Sequence, residues 1–140
     1  MRKQYHLRAG PDGLKAWDID RLVALASALQ PQRVALAEIR ELDEPYWSTG
    51  YDRPLTCRDV AEHARLIHEA DPDFPVILSS DGRVMDGMHR IAKALLEGRT
   101  HVTAVRFPND PDPDYVGVHP DDLPYGESGS CATPGALQST

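Results

Sequence analysis

Residues 75–98 constrain the fold of this chain more than any other stretch. Pro75-Val76-Ile77-Leu78 is a short apolar run, and Ser80-Asp81-Gly82-Arg83 carries the Asp-Gly pair that closes two-residue hairpins. Val84-Met85 then reads as the return strand. Gly87 follows almost at once and opens a helix on which Met88, Ile91, Ala92 and Leu95 share one face, with Gly98 placed to end it. A hairpin fed directly into a helix has few arrangements open to it, because strand and helix must bury their apolar sides against each other. Asp86, His89 and Arg90 crowd the join. A helix start leaves about four backbone N–H groups unpaired and carries roughly half a positive charge, so it seats anions. Asp86 lies just before that seat and can hold a metal or accept a proton, while His89 and Arg90 add donors in the first turn. The outline is that of a phosphate-binding site, and Met88, by its spacing, belongs to the core.

The flanking segments supply the remaining elements. Asp18-Ile19-Asp20 supplies an N-cap candidate for a helix over 21–29, with apolar residues at 22, 25, 26 and 29 and Pro31 as its stop. Val34-Ala35-Leu36-Ala37-Glu38-Ile39 alternates enough for a short strand with Val34, Leu36 and Ile39 facing the core. Thr56 and Asp59 form a capping box for a helix running to about Ala70, whose core face is expected to be Val60, Ala61, Ala64 and Ile67. His63 and His68 ride on it five residues apart, a spacing that does not suit a metal pair on one helical face, so both read as surface or satisfied histidines. His101 to Phe107 is a final strand.

Between the second strand and that capped helix, residues 40–51 concentrate Glu41, Asp43 and Glu44 with Tyr46, Trp47 and Tyr51. Loops with this much side-chain chemistry carry function, although the aromatics serve equally well as plugs for the edge of a core.

Of the 140 residues, 22 are acidic and 15 basic, for a net charge of −7. The imbalance sits at the C-terminal end: residues 108–140 hold six acids and no Lys or Arg, which leaves 16 acids against 15 bases in 1–107, a net of −1. A near-neutral body with an acidic tail lacks the basic footprint of non-specific DNA binding. Cys57 and Cys131 stand far apart with no CxxC or Cys/His spacing, so neither a disulfide framework nor a zinc site is indicated. No apolar run approaches a membrane span. The expectation is a cytoplasmic protein in three parts: an N-terminal helical extension over 1–32, a body over 33–107, and an acidic Pro/Gly/Ser-rich tail over 108–140. That tail is expected to be loosely ordered, with Tyr115, Val116, Val118, Leu123 and Tyr125 available to pin its first half.

The order strand, helix, hairpin, Asp-Gly-x-His-Arg, helix, Gly, strand resembles the N-terminal domain of the ParB family and the sulfiredoxin-like fold it shares. Residues 33–107 carry the resemblance. Val34 to Ile39 looks like the family's opening strand, Pro75-Val76-Ile77-Leu78 like its "P-I-x-V" strand, Gly87-Met88-His89-Arg90 like its G-x-x-R motif, and Glu97 to Val102 like its "A-G-x-T-x-V-P" exit. The resemblance implies an α/β (α+β) domain with a small mixed sheet and flanking helices. It also implies nucleotide binding, with ATP or CTP phosphates held by Gly87, Met88, His89 and Arg90 and Mg²⁺ on Asp86. Met88 stands where sulfiredoxins place their catalytic Cys, so that chemistry lacks its thiol. The partitioning members' helix-turn-helix region has no counterpart here.

The leading expectation is a small ATP- or CTP-dependent phosphotransferase or nucleotide hydrolase acting on a small-molecule acceptor. Glu41 or Glu44 is then the candidate base and Asp86 stands beside the reacting hydroxyl or metal. Two others stand beside it: a non-catalytic module that senses nucleotide or docks a protein partner through Tyr46, Trp47 and Tyr51, and a metal-dependent nuclease.

Overall fold

The chain is organised on the hairpin that residues 75–98 predict. In the computed structural model, which describes residues 3–47 and 54–125, β4 (Val76–Leu78) and β5 (Val84–Asp86) pair antiparallel, and β5 leads through Gly87 into α3 (Met88–Leu96). The Asp-Gly pair lies in the turn as expected, but the Ser79 N–H bonds the Arg83 carbonyl at 2.8 Å and the Gly82 N–H the Ser79 carbonyl at 2.9 Å, so the turn has three residues, Ser80 to Gly82, and not two. Arg99 N–H returns to the Ala94 carbonyl at 2.9 Å, which closes the helix after Gly98 and starts β6 (His101–Arg106). β6 runs parallel to β4 and antiparallel to β3 (Gln32–Ala35), giving a four-stranded mixed sheet of order β3-β6-β4-β5.

Strand alternation divides the apolar side chains between the faces of this sheet. Val76, Leu78, Val84 and Ala104 pack on one side with Met88, Ile91 and Ala94 of α3 and with Leu36 and Ile39. Ile77, Met85 and Val105 pack on the other with Ile19, Leu22 and Ala26 of α1 (Ile19–Ala26), sealed by Trp17 and Phe107. Of the two acids in the expected cap it is Asp18 that caps α1, its side chain accepting from the Asp20 and Arg21 N–H groups, so the helix starts two residues before the expected 21. Leu25 and Leu95, expected on the inner faces of their helices, are exposed.

Residues 1–32, read as a helical extension, contain a hairpin ahead of that helix. β1 (Tyr5–Gly10) and β2 (Gly13–Asp18) pair antiparallel in a second sheet of order β1-β2-β7. The third strand comes from the tail: β7 (Tyr115–Val116) adds to β2, and Leu123 is buried with Tyr5 and Ala16 beside Val118 and Tyr125. Gly13, at φ +119°, lies so close to Gly117 that a Cβ would stand 2.9 Å from the Gly117 Cα, so strap and hairpin meet backbone to backbone. The tail's acids take part. Asp110 accepts from Ser80 N–H at 2.7 Å, and Asp114 accepts from Asp18 N–H at 2.8 Å and pairs with Arg21 at 3.1 Å. Residues 108–125 are therefore a strap bound to the body. The expectation for the remainder of the tail lies outside the described residues.

Two further expectations shift. The strand over 34–39 ends at Ala35, where the Leu36 N–H bonds the Thr100 carbonyl at 2.9 Å; Leu36–Glu38 and Arg40–Asp43 are then single 3-10 turns that still bury Leu36 and Ile39. α2 (Cys57–Glu69) has both halves of its Thr56/Asp59 capping box, at 3.0 and 3.1 Å, but it is rotated from the expected face: Val60, Ala61 and Ala64 are exposed, and His63, Leu66, Ile67 and Ala70 turn inward. Polar bonds set this rotation. Lys93 of α3 donates to the carbonyls of His68 and Ala70 at 2.9 and 2.8 Å, capping the end of α2 from a neighbouring helix. Cys57 is a free, exposed thiol, and among the described residues no helix is long and apolar enough to cross a membrane.

If the strap is part of the fold, Leu123→Ala should lower unfolding stability by about 2 kcal/mol, the low end for a buried Leu, whereas Val116→Ala, at a 45 % exposed position, should cost under about 0.5 kcal/mol. Urea unfolding of the two variants checks this.

Candidate functional site at the start of α3

β5 alternates Val84 and Asp86 toward α3 and Met85 toward α1, so the last residue of the strand directs a carboxylate at the helix side of the sheet. Asp86 is 5 % exposed. Gly87 then reverses the chain at φ +110°, and a Cβ there would lie 2.9 Å from Arg90 Nη2 and 3.2 Å from the Val76 Cα. Glycine is required on both counts, by backbone conformation and by space. With Gly87 at the N-cap, no side chain caps the first N–H groups of α3. Arg90, one turn on, donates from Nη2 to Asp86 Oδ2 at 2.9 Å. The pair is incomplete, since Asp86 Oδ1 and Arg90 Nε are both buried without a partner.

His89 faces away from this turn. Its ring stacks on Trp47, with centroids 4.8 Å apart and planes 15° from parallel, and its Nε2 lies 2.8 Å from His63 Nδ1. His63 in turn stacks on Trp47 at 4.4 Å. Burial, then the neighbouring His63 and the Arg90 charge, push His89 down to about 4, and burial also lowers His63. The two neutral rings share one proton in their hydrogen bond, one donating and the other accepting. His89 therefore holds α2 and the 36–47 segment against α3, and Met88 is buried in the core, as its spacing indicates.

The two candidate bases are tied to the start of the same strand. Glu41, 3 % exposed, accepts from Val84 N–H at 2.8 Å and pairs with Arg83 Nε at 3.1 Å through one oxygen; its other oxygen has no partner. Glu44 takes the two terminal nitrogens of Arg83 at 3.0 and 2.6 Å and is pulled below the usual carboxylate range by that contact. Val84 and Asp86 are two residues apart on one face, so the backbone group that Glu41 binds lies roughly 7 Å along the strand from Asp86. Tyr46 lies within reach of both acids: burial first, then the charges of Asp86 and Glu41, raise its phenol well above its ordinary value.

The structure thus brings Asp86, Gly87, Arg90, Glu41 and Tyr46 to one side of β5 and sets Glu44 at the rim. Sequence spacing does not mark Arg83, His63 and Lys93 as organisers of this region, because the groups they bind lie 23 to 42 residues away in sequence. Tyr51 lies outside the described residues. Asp86 offers one free carboxylate oxygen, which fits a single protein ligand to Mg²⁺, a cation that keeps most of its coordination for water and phosphate. Among the described residues there is no group of three or more His, Cys, Asp or Glu side chains able to hold a metal. Comparison with known proteins gave no matching family model, no matching curated protein and no matching solved structure.

Two outcomes test this geometry. Gly87→Ala should cost about 1–3 kcal/mol, from strain at positive φ with the Arg90 side chain displaced, measured by denaturant unfolding. A histidine titrating near 4 when folded and at 6.5 when unfolded takes up its proton on unfolding, so its contribution is complete above pH 6.5 and is lost as the pH falls toward 4. Between pH 7 and 5 the wild type should lose about 2 kcal/mol more stability than His89→Phe does.

Proposed function

We propose that the protein is a nucleotide-binding domain of the ParB/sulfiredoxin-like type that seats the phosphates of ATP or CTP between Gly87 and Arg90. The observation that carries this reading is the incomplete Asp86–Arg90 pair. A buried carboxylate oxygen and a buried guanidinium nitrogen stand without partners beside an uncapped helix start. Leaving such groups unsatisfied costs about 1–3 kcal/mol each, so a ligand that completes them has free energy to gain. The order of elements from β3 through β6 supports the same reading, since it follows the order on which the resemblance rests.

In this reading the α3 N–H groups and Arg90 neutralise phosphate oxygens, and Asp86 holds Mg²⁺, which supplies further charge neutralisation when bound. Gly87 lets the phosphate approach the backbone. His89 acts indirectly, by keeping Trp47 and α2 in place. Should a phosphoryl group be transferred to an acceptor or to water, Glu41 is better suited than Glu44 to receive the hydroxyl proton. It is buried with a free oxygen, whereas Glu44 spends both of its oxygens on Arg83.

A non-catalytic nucleotide sensor is favoured by one feature, the Arg83 bridge that holds both glutamates in ion pairs. The nuclease reading has no cluster of ligating side chains among the described residues to support it.

Thermal shifts with ATP, CTP, GTP and ADP, each with and without Mg²⁺, test the proposal. One nucleotide at about 100 times its Kd should add about 2.7 kcal/mol to the wild type and little to Arg90→Gln, each protein compared with its own ligand-free melting point. Turnover lost in Glu41→Gln with binding retained would identify an enzyme; binding without turnover in the wild type would identify a sensor. No shift with any of the four nucleotides would overturn the assignment.

A further inference from the structure

Beside the start of β5, sharing Glu41 and Tyr46 with the candidate site but no residue with the Asp86–Arg90 turn, lies a cleft of about 280 Å³ between the N-terminal hairpin and the 36–47 segment. This is close to the lower bound of small-molecule pockets, about 300 Å³. His6 and Arg8 of β1 form one wall, Glu41 and Tyr46 another, and Arg83 with Glu44 closes the rim. Two of these side chains are more than nine-tenths buried and carry an unpartnered polar atom: His6 Nε2 and Glu41 Oε1. One such atom is a cost that a fold can bear. Two on the walls of one cleft mark hydrogen bonds to be completed by something that enters it.

The charges narrow what can enter. Arg83 is shared between Glu41 and Glu44, and Glu44 is 40 % exposed, where water screens it. Arg8 has no carboxylate within ion-pair distance among the described residues; it makes a long contact, 3.4 Å, to Ser79 Oγ, and its charge also acts on Asp81 beyond that hydroxyl. The cleft thus holds two guanidinium groups and two carboxylates, but Glu41 and Glu44 both pair with Arg83, which leaves Arg8 as the guanidinium without an ion pair. A phosphate dianion would exceed the charge of that single guanidinium and meet Glu41. His6, lowered to about 3 by burial and then by the Arg8 charge, is a neutral ring whose Nε2 is free to carry a proton.

We propose that this cleft binds a small, singly charged hydroxy-carboxylate, its carboxylate on Arg8 and its hydroxyl between His6 Nε2 and Glu41 Oε1. A hydroxyl donates one hydrogen bond and accepts another, so it serves Glu41 as donor and His6 as acceptor at the same time. An ammonium group only donates, so it would suit His6 only in the tautomer whose Nε2 carries no proton, whereas a hydroxyl suits either. Leu7, Pro45 and Val84 supply the apolar part of the lining, enough for a short carbon chain. Both residues from β1 lie outside the stretch that resembles the ParB family, so the site belongs to this chain's own hairpin.

The test is a titration of the full chain with glycolate and with each enantiomer of lactate, using propionate as the analogue without a hydroxyl. It is followed by the NMR signals of the His6 ring, the Arg8 side chain and the Val84 amide. At least one hydroxy acid should give saturable shifts at all three groups, and propionate should bind at least about tenfold more weakly. Arg8→Gln should abolish the shifts while its β1–β2 amide signals show the hairpin intact, and Arg8→Lys, which keeps the charge without the fork, should bind with intermediate strength. Arg90→Gln, which tests the nucleotide reading, should leave this titration unchanged. The proposal is overturned if no hydroxy acid produces saturable shifts at millimolar concentration, if propionate binds equally well, or if Arg8→Gln binds as the wild type does.

Discussion

The buried carboxylate of Glu41 is the contact on which the working side of the molecule depends. A charge at 3 % exposure is tolerable only when paired, and Glu41 finds its partners on β5, in the Val84 N–H and the Arg83 guanidinium. This fastens an irregular stretch of 3-10 turns, with little backbone pairing of its own, to the edge of the sheet. Tyr46 and Trp47 hang from that stretch. Once it is fastened, Trp47 reaches the His63 and His89 rings, α2 is drawn against α3, and the Asp86–Arg90 turn acquires a wall. Remove the pairing and an uncompensated charge sits in the core while the segment that positions both candidate ligand sites loses its anchor.

The same contact accounts for the two sites lying close together. On the α3 side, an uncapped helix start and Arg90 present donors around a single carboxylate. On the hairpin side, Arg8 and a neutral imidazole line the same cleft as Glu41. Glu41 and Tyr46 stand between them, so charge arriving at either position is felt by groups that border both. The strap formed by residues 108–125 matters here as well. By adding β7 to β2 and burying Leu123 against Tyr5, it stiffens the hairpin that presents His6 and Arg8.

What could be read from sequence was what is written locally. The Asp81-Gly82 turn, the glycine opening α3, the Asp18 cap and the Thr56/Asp59 box each need only neighbours within a few residues, and each is present. The N-terminal hairpin left an equally local sign that went unread: Pro11-Asp12-Gly13 stands between Tyr5 and Leu7 on one side and Leu14 and Ala16 on the other. Its strands, six residues each, carry His, Arg and Lys among their apolar residues, so the helical spacing that follows at 22–29 dominates the reading. The face of α2 was misjudged for a different reason. Its rotation is decided by His63 meeting His89 and by Lys93 meeting the last carbonyls, and hydrophobic spacing carries no information about polar bonds to another helix. The incomplete pairing at Asp86 and Arg90, and the shared cleft atoms of His6 and Glu41, are properties of burial and so become visible only in three dimensions.

The chain has two tryptophans, and the fold places them in unlike surroundings. Trp17 is buried against α1 with its indole N–H bonded to the Pro111 carbonyl at 2.8 Å, at the junction of hairpin, helix and strap. Trp47 lies against two imidazoles, with its own N–H buried and unpartnered. Their emission therefore reports on separate events. Trp17 changes when the strap leaves the body, and Trp47 changes when α2 parts from α3 or when either imidazole gains a proton and becomes a quencher. The protein carries its own pair of optical probes: Trp47 for the site at α3, and Trp17 for the scaffold and, through the His6 ring 5.5 Å from it, for the hairpin cleft.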